Sequence, residues 1–376
     1  MIVGVLKEAD FENRVSLLPE GVKSLGNLKS SVLFEKGSGS RAFATDDEYK
    51  SAGAEEADIE NILKRSNIIL SINAPSREVL SKLPESTIII SVFNPLAEKE
   101  TIDFLLDKKI TAFSMDMIPR TTRGQAMDVL SSMATIAGYK AVLDAAFNLP
   151  NFMPMFMTAA GTIRPAKVLI LGAGVAGLQA IAIARKLGAV VEVFDVRSAV
   201  KEQVESLGGK FVEVEGATED AAAGGYAVEQ TDEFKQKQKQ LIHDHAAKSS
   251  ILICTAQIPG RAAPLLIEKH TVEAMKAGSV IIDLAASTGG NCELTENGKT
   301  VVKEGVKIIG KSDYPSDMPN DASRMYGNNL INLLKVLLDD EGNINLNLED
   351  EILQGTCITH AGEIISPRLK SIYSTK

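Results

Sequence analysis

The sequence of 376 residues predicts an α/β protein with two parallel-sheet domains, of which the first is discontinuous. A chain of this length exceeds one typical domain. Short β-rich runs alternate with amphipathic helical stretches up to Met115 and again from Lys167 to Lys311. This alternation is typical of open parallel sheets whose strands are joined by helices.

The segments before Lys167 belong to the first domain and to the connection that follows it. Residues 124–148 repeat apolar positions with a helical period and predict a long helix crossing between the domains. Residues 149–165 contain prolines and methionines and predict a hinge or a packed loop. The predicted strands before this helix are residues 3–6, 31–35, 68–72, 87–92 and 111–115.

The second domain follows, and the chain then returns to the first. Further predicted strands are residues 210–215, 251–255, 279–284 and 306–309. After Lys311 a helical pattern resumes, and a helix in this position often crosses back onto the preceding domain. The predicted domains are therefore residues 1–130 with 318–376, and residues 131–317.

Residues 167–197 combine an apolar strand, a glycine turn, a helix and a second strand that ends at Asp195. In such a turn the first glycine allows the sharp bend, the second lets a pyrophosphate approach, and the third lets the helix pack closely on the strand. The N–H groups at the helix start face the phosphates. The sequence therefore predicts a Rossmann-like dinucleotide site, with a βαβ unit that binds no ligand as the alternative. The turn consists of Gly172, Ala173, Gly174, Val175, Ala176 and Gly177.

Asp195 and Arg197 bear on which dinucleotide is bound. A carboxylate at the end of the second strand can accept hydrogen bonds from both ribose hydroxyls and repels a 2′-phosphate, so Asp195 favours NAD over NADP. Arg197 leaves NADP open, because its guanidinium can bind a phosphate. A solvated charge is the other interpretation of Arg197.

The composition argues against several other functions. The net charge is −9 without a basic block, which argues against nucleic acid as a partner. Three widely spaced cysteines form neither a CxxC pair nor an even framework, as expected for ordinary thiols in a reducing compartment. His243 and His245 are expected on a solvated helix face, and no metal site is predicted. The start lacks the features of a targeting peptide, so a cytoplasmic protein without membrane spans is expected.

The segment from Glu215 to Glu233 reads EGATEDAAAGGYAVEQTDE, which is acidic, contains glycines and has no periodicity. It is longer than a standard connection between helix and strand. It predicts a lid or a binding loop, with a flexible surface insertion as the alternative.

Further stretches of the chain read KEADFENRVSLLP, PRTTRGQAMDVLSSMATIAGYKAV, LGAGVAGLQAIA, DVRSAVKEQVESLGGKF, AGGYA, IPGRAAPLL and IIDLAASTGGNCEL. Together they resemble the NAD(H)-binding domain of proton-translocating nicotinamide nucleotide transhydrogenase, and more distantly alanine dehydrogenase, over nearly the whole chain. The resemblance implies two Rossmann-like domains separated by a cleft, a homodimer, and NADH bound at the strand ends of the second domain.

In PRTTRGQAMD the resemblance implies a loop that carries Arg120, Gln125 and Asp128 toward the nicotinamide, with Ser131 just after it. Hydride transfer needs the two reacting rings in contact, and hydrogen bonds to the carboxamide and the ribose set their orientation. If the helix has begun here, Gln125 and Asp128 share a face and Arg120 neutralises Asp128. From the residues alone, a helix N-terminus with acidic capping and a solvated arginine is the alternative.

The resemblance also makes AGGYA the tip of a mobile loop, in which Gly225 contacts the nucleotide and Tyr226 closes over it. A merely exposed tyrosine is the alternative. Further cofactor contacts are implied at Val196, Thr255, Ala256 and Gln257.

The chain departs from alanine dehydrogenase at the residues that perform its chemistry. Where that enzyme has a lysine, a histidine and an aspartate, the matching segments here place Asn73, Asn94 and Ser287. These side chains cannot replace a Lys–His pair that titrates near neutral pH. Arg14 alone remains from the substrate pocket, with a structural ion pair as its alternative role.

The resemblance therefore implies an NAD(H)-binding component of transhydrogenase. In such an enzyme hydride passes directly from NADH to NADP⁺ held by a partner domain, and a separate membrane-spanning component couples the reaction to proton translocation. The chain is then expected on the cytoplasmic face of the inner membrane, bound through its partners. The alternatives are an alanine dehydrogenase-like amino-acid dehydrogenase and a non-catalytic NAD-sensing module.

Overall fold

The computed structural model describes residues 1–214 and 231–373. Two compact units are present, one comprising Met1–Met133 with Pro315–Lys376 and the other Ala134–Tyr314. Both are α/β units with largely parallel sheets, and the first is discontinuous, which confirms the predicted fold class. Within the described ranges, no helix has the length and apolar character needed to cross a membrane.

The strands of the described residues, in chain order, are β1 (Ile2–Val5), β2 (Ser31–Glu35), β3 (Glu55–Ala57), β4 (Ile68–Asn73), β5 (Ile88–Val92), β6 (Thr111–Ser114), β7 (Phe156–Thr158), β8 (Gly161–Ile163), β9 (Lys167–Leu171), β10 (Val190–Phe194), β11 (Lys210–Val212), β12 (Ile251–Cys254), β13 (Val280–Asp283), β14 (Thr300–Lys303), β15 (Val306–Gly310), β16 (Cys357–His360) and β17 (Glu363–Ile364).

The α-helices of the same residues are α1 (Pro19–Asn27), α2 (Asp46–Ser51), α3 (Ile59–Arg65), α4 (Arg77–Ser81), α5 (Lys99–Asp107), α6 (Val129–Asn148), α7 (Val175–Lys186), α8 (Lys201–Ser206), α9 (Asp232–Ala246), α10 (Lys269–Ala274), α11 (Pro319–Leu337), α12 (Glu351–Thr356) and α13 (Pro367–Tyr373).

The sheet of the first unit has the strand order β17-β16-β6-β5-β4-β1-β2-β3. Strands β1 to β6 pair in parallel, whereas β16 runs antiparallel to β6 and β17 antiparallel to β16. Both faces are covered: on β4, Ile68 and Leu70 join one buried cluster and Ile69 joins the other. Burial on both faces explains why these strands are continuous apolar runs in the sequence.

The segment after Pro315 completes the first unit. Helix α11 contributes Leu330, Leu334 and Leu337 to the same buried cluster as β4. The hydroxyl of Tyr326 donates a hydrogen bond of 3.0 Å to the carbonyl oxygen of Ser71. The end of the chain therefore packs into the core that its beginning forms.

The sheet of the second unit has the order β11-β10-β9-β12-β13-β15-β14, parallel except for β14. Strands β10 and β11 are added on one side of β9, and β12 and the later strands are added on its other side, so the strand order reverses between β9 and β12. Ligands of open α/β sheets bind beyond the carboxyl ends of the strands at such a switch point. The sheet therefore has the topology that a dinucleotide site requires.

Three local expectations are wrong. Helix α6 begins at Val129 rather than at residue 124, because a 3₁₀ turn, Gln125–Met127, comes first. Residues 149–165 contain the antiparallel hairpin of β7 and β8 instead of only a hinge or loop. The two histidines of α9 have partners: His243 stacks on His270 with ring centroids 5.0 Å apart, and Nδ1 of His245 lies 2.5 Å from Oε2 of Glu192.

Candidate nucleotide-binding site

The glycine turn of the second unit has the geometry that its sequence predicts. Gly172 has φ +105°, in the left-handed region that favours glycine. A Cβ on Gly177 would lie 1.9 Å from the carbonyl oxygen of Gly172, so α7 could not pack this closely with any larger residue. A Cβ on Gly174 would meet no protein atom within 4 Å. The protein therefore leaves space at Gly174, the N-cap residue of α7.

Asp195 joins the turn to the end of β10. Its Oδ2 accepts a hydrogen bond of 2.7 Å from the backbone N–H of Ala173. Oδ1 accepts bonds from the backbone N–H and from Nε of Arg197, at 2.9 and 2.8 Å, and Nη2 of Arg197 lies 2.7 Å from Oδ2. Arg197 is therefore an ion-pair partner of Asp195 rather than a solvated charge, and this bonding raises the pKa of the guanidinium.

The next predicted residues lie at the carboxyl end of β12, beside the turn. Thr255 donates from Oγ1 to the carbonyl oxygens of Leu171 and Gly172, at 3.1 and 3.0 Å. Nε2 of Gln257 donates to the carbonyl oxygen of Leu284 at 2.9 Å. These side chains hold the strand ends together at the switch point. Val196, by contrast, packs against an apolar cluster of the unit.

Two buried polar residues of this region were missed by sequence reasoning. Asn291 accepts from the backbone N–H of Ala256 and donates to its carbonyl oxygen, at 3.0 and 2.9 Å. Oδ2 of Asp283 in turn accepts from the backbone N–H of Asn291 at 2.8 Å. Both residues are fully buried. They fix the segment carrying Ala256, and the available signal was their place in the stretch IIDLAASTGGNCEL.

The residues predicted to face the nicotinamide lie in the first unit. Asp128 caps α6: Oδ1 accepts from the backbone N–H of Ser131 at 3.0 Å, and Oδ2 accepts from its hydroxyl at 2.6 Å. Gln125 and Asp128 do not share a helical face, because the helix begins after them. The side chains of Arg120 and Gln125 are exposed. The structure thus brings Asp128 and Ser131 together in a helix cap, while Gln125 projects from the preceding turn.

Gly225 and Tyr226, and with them most of the predicted binding loop, lie outside the described residues.

Two of the positions that correspond to the chemistry of alanine dehydrogenase, Arg14 and Asn73, join the buried carboxyl groups of Glu8 and Glu12 in a polar cluster of the first unit, whereas Asn94 is exposed and Ser287 is an exposed residue of the second unit. Arg14 pairs with Glu12 through two contacts, Nε to Oε1 at 2.8 Å and Nη2 to Oε2 at 2.6 Å. The amide of Asn73 donates to Oε2 of Glu12 at 3.1 Å and to Oε2 of Glu8 at 3.4 Å. Arg14 thus forms the structural ion pair that was the alternative for it. Asn94 has a left-handed backbone with φ +50°.

The two carboxyl groups of this cluster differ in their acidity. Burial raises the pKa of Glu8 to about 7. Burial acts in the same direction on Glu12, but the hydrogen bonds and charge of Arg14 outweigh it and lower the pKa of Glu12 to about 2. The Arg14 guanidinium is therefore committed to a carboxylate of its own chain.

Comparison with known families covers both units of the chain. The family described as "Alanine dehydrogenase/PNT, N-terminal domain" matches residues 4–137, and "Alanine dehydrogenase/PNT, C-terminal domain" matches residues 141–367. The chain belongs to the alanine dehydrogenase/PNT family. The N-terminal match covers the first part of the first unit, and the C-terminal match covers most of the second unit together with most of the segment after Pro315 that completes the first.

Within the alanine dehydrogenase/PNT family, the chain is related to alpha subunits of NAD(P) transhydrogenase. It is 45% identical to an NAD(P) transhydrogenase alpha-subunit chain of Rhodospirillum rubrum, with 95% of this chain and 96% of the relative covered. It is 44% identical to "NAD(P) transhydrogenase subunit alpha" of Haemophilus influenzae, with 98% of this chain and 72% of the relative covered. These identities show that the resemblance to transhydrogenase is a relationship of the whole chain.

Solved structures of transhydrogenase and of alanine dehydrogenase have the same fold as this chain. "The crystal structure of transhydrogenase from Sinorhizobium meliloti" superposes with a TM-score of 0.89 at 41% identity, covering 97% of this chain and 100% of that chain. An "L-ALANINE DEHYDROGENASE" superposes with a TM-score of 0.82 at 23% identity, covering 100% of this chain and 99% of that one. The second similarity shows a shared fold only.

Proposed function

We propose that this chain is the NAD(H)-binding component of a proton-translocating transhydrogenase. The observation that carries the proposal is the bonding of Glu12 in the first unit. Its carboxylate engages Arg14 and Asn73, so the cluster offers neither an unpaired arginine for a substrate carboxylate nor a titrating Lys–His pair. Together with the relationship to transhydrogenase alpha subunits, this supports transfer of the hydride to another nicotinamide.

The second unit fits a dinucleotide. The open space at Gly174 and the start of α7 suit a pyrophosphate, because the first N–H groups of a helix have no partners within it. Asp195 stands where a ribose would be bound. Its carboxylate already accepts four hydrogen bonds, about the number its lone pairs allow. Ribose hydroxyls would therefore take the place of the Arg197 side chain.

In the reaction that we propose, the protein itself forms no covalent bond with the nucleotides. The nucleotides supply the hydride donor and acceptor, and NADH and NADP⁺ become NAD⁺ and NADPH without a proton to transfer. The chain binds NADH, and Gln125 orients its nicotinamide while the site excludes water. NADP⁺ is held by a partner domain, and a membrane-spanning partner couples the transfer to proton translocation. The chain would lie on the cytoplasmic membrane face through these partners.

The choice of nucleotide can be tested at Asp195. Asp195→Asn should weaken NADH binding and reduce the preference for NADH over NADPH, each by about 1–3 kcal/mol for a charged hydrogen bond. Calorimetric titration with both nucleotides measures this. Arg197→Met is the matched control: it keeps the carboxylate and removes the cation that a 2′-phosphate would contact, so the preference for NADH should persist or increase. An unchanged affinity and preference in Asp195→Asn would refute the ribose role.

The hairpin of β7 and β8 supports the homodimer that the family resemblance implies. All six of its strand residues are exposed, and a two-stranded hairpin is at best marginally stable in water on its own. Exposed apolar side chains lie on the hairpin and on the chain that precedes it, and an exposed apolar patch marks an interface. They are Phe147, Phe152, Met155, Phe156, Met157 and Ile163. We propose that the hairpin packs against a second copy of the chain.

The dimer proposal can be tested at Met157, whose exposed fraction is 73%. Met157→Glu should convert a dimer to a monomer in sedimentation equilibrium, because a carboxylate would be buried in the interface. Val302→Glu is the control, since Val302 is also exposed in the second unit but lies on the edge strand β14. A wild-type monomer, or a Met157→Glu dimer as stable as that of Val302→Glu, would contradict the proposal.

A further inference from the structure

We infer that Asn329 is a positioning residue for hydride transfer, because it holds in place the turn from which Gln125 projects. This inference rests on the proposed function. The turn, Gln125–Met127, belongs to a loop that closes tightly on itself: a Cβ on Gly124 would lie 2.2 Å from the carbonyl oxygen of Pro119. Met127 is buried in the core of the first unit, whereas Gln125 is exposed. One end of the turn is thus anchored and the other is presented outward.

The carbonyl group of Ala126, next to Gln125, is fixed by two side chains of α11. Nδ2 of Asn329 donates to this oxygen at 2.8 Å, and Nδ2 of Asn332 donates at 3.0 Å. The two asparagines are three residues apart and therefore lie on one side of the helix. A carbonyl oxygen has two lone pairs, so both are used. The peptide that follows Ala126 consequently has its direction set by α11.

Asn329 is the more buried of the two donors. The residue is 6% exposed, and among the described residues no protein group donates a hydrogen bond to its Oδ1. Asn332 is less buried, and its Oδ1 accepts from Nζ of Lys335 at 3.2 Å. An apolar side chain at position 329 would avoid the unpaired acceptor, so core stability alone does not favour asparagine there. The contact with Ala126 is the interaction that accounts for it.

A second anchor holds the opposite end of the loop. Nη1 of Arg123 lies 2.5 Å from Oδ2 of Asp350, and the hydroxyl of Thr121 donates to Oε1 of Glu351 at 3.3 Å. Asp350 also caps α12 by accepting from the backbone N–H of Ile352. Both anchoring helices, α11 and α12, come from the segment after Pro315. That segment therefore holds the loop from two helices.

Asn329→Leu tests the inference, because leucine fills a similar volume without a donor. Hydride transfer from NADH to NADP⁺ on an NADP-binding partner should slow by about tenfold or more, since small misplacements of reacting groups have large effects. The dissociation constant of NADH should change by less than about twofold, the pattern of an interaction that matters in the transition state. Asn332→Leu, which removes the less buried donor, should have the smaller effect. Asn329→Ser, also without the amide, provides the same test if leucine impairs folding.

A double-mutant cycle shows whether Asn329 acts through Gln125. In a Gln125→Ala background, Asn329→Leu should cause little further slowing. Wild-type transfer in Asn329→Leu and Asn329→Ser, or equal slowing with and without Gln125, would overturn the inference while leaving the proposed function intact. Failure of the wild-type chain to transfer hydride with the partner would instead refute the proposed function.

Discussion

Gly174→Ala is expected to weaken NADH binding strongly with little loss of stability, whereas Gly177→Ala is expected to destabilise the second unit. A methyl group on Gly174 meets no protein atom within 4 Å, so it intrudes only on the space proposed for the pyrophosphate. A methyl group on Gly177 would approach the carbonyl oxygen of Gly172 to 1.9 Å, and backbone cannot yield as a side chain can. Overpacking of this kind costs about 3 kcal/mol.

Urea unfolding and calorimetric titration distinguish the two substitutions. Gly174→Ala should keep nearly the wild-type midpoint and bind NADH at least about tenfold more weakly, which corresponds to about 1.4 kcal/mol. Gly177→Ala should shift the midpoint strongly. Wild-type NADH affinity in Gly174→Ala would show that the nucleotide does not approach the backbone there.

Arg14→Met is expected to destabilise the first unit by about 3–5 kcal/mol, because it leaves a buried carboxylate without its cation. The side chain of Glu12 is 5% exposed, and Arg14 supplies its ion pair. Arg65→Met is the control, since Arg65 and Glu55 form a pair whose side chains are 41% and 57% exposed. Breaking that pair should cost less than about 1 kcal/mol. Equal effects of the two substitutions would contradict the buried ion pair.

The same ion pair predicts how the free energy of unfolding depends on pH in the acidic range. The pKa of Glu12 is about 2 in the folded chain, below its ordinary value of 4.5, so its contribution is present above pH 4.5 and lost as the pH falls toward 2. In the wild-type chain this loss of stability amounts to about 3 kcal/mol, and Arg14→Met should not show it. Glu8 contributes little in this window, because its pKa is raised to about 7 and it is largely protonated in both states below pH 4.5. Unfolding free energies measured at several acidic pH values test this.

The sheets could be predicted because their strands are buried on both faces. The run Ile68–Ile72 is apolar except for Ser71, and a short apolar run of this kind predicts a strand that is buried on both faces. β3, with sequence EEA, carries no such signal, and β16 is defined by its pairing with β6, far away in sequence. Tertiary pairing decides whether segments of this kind form strands.

The site likewise has a part that could be predicted from the sequence and a part that could not. The glycine turn and Asp195 both lie within residues 167–197, in one βαβ unit, so spacing and composition were sufficient to predict their arrangement. Asn291 reaches Ala256 across 35 positions, and Asn329 reaches Ala126 across 203. No local pattern predicts which residue either asparagine contacts, because an asparagine is as compatible with an exposed surface as with a buried one.

The central claim is that this chain passes hydride from its NADH directly to NADP⁺ on a partner. The measurement that tests it most directly follows deuterium from NADH labelled at C4, using the chain mixed with an NADP-binding transhydrogenase component. Direct transfer predicts that the label appears in NADPH undiluted by solvent hydrogen, while the chain alone oxidises no L-alanine and reduces no pyruvate. Alanine oxidation by the chain alone, or NADPH that carries solvent hydrogen in place of the label, would contradict the account.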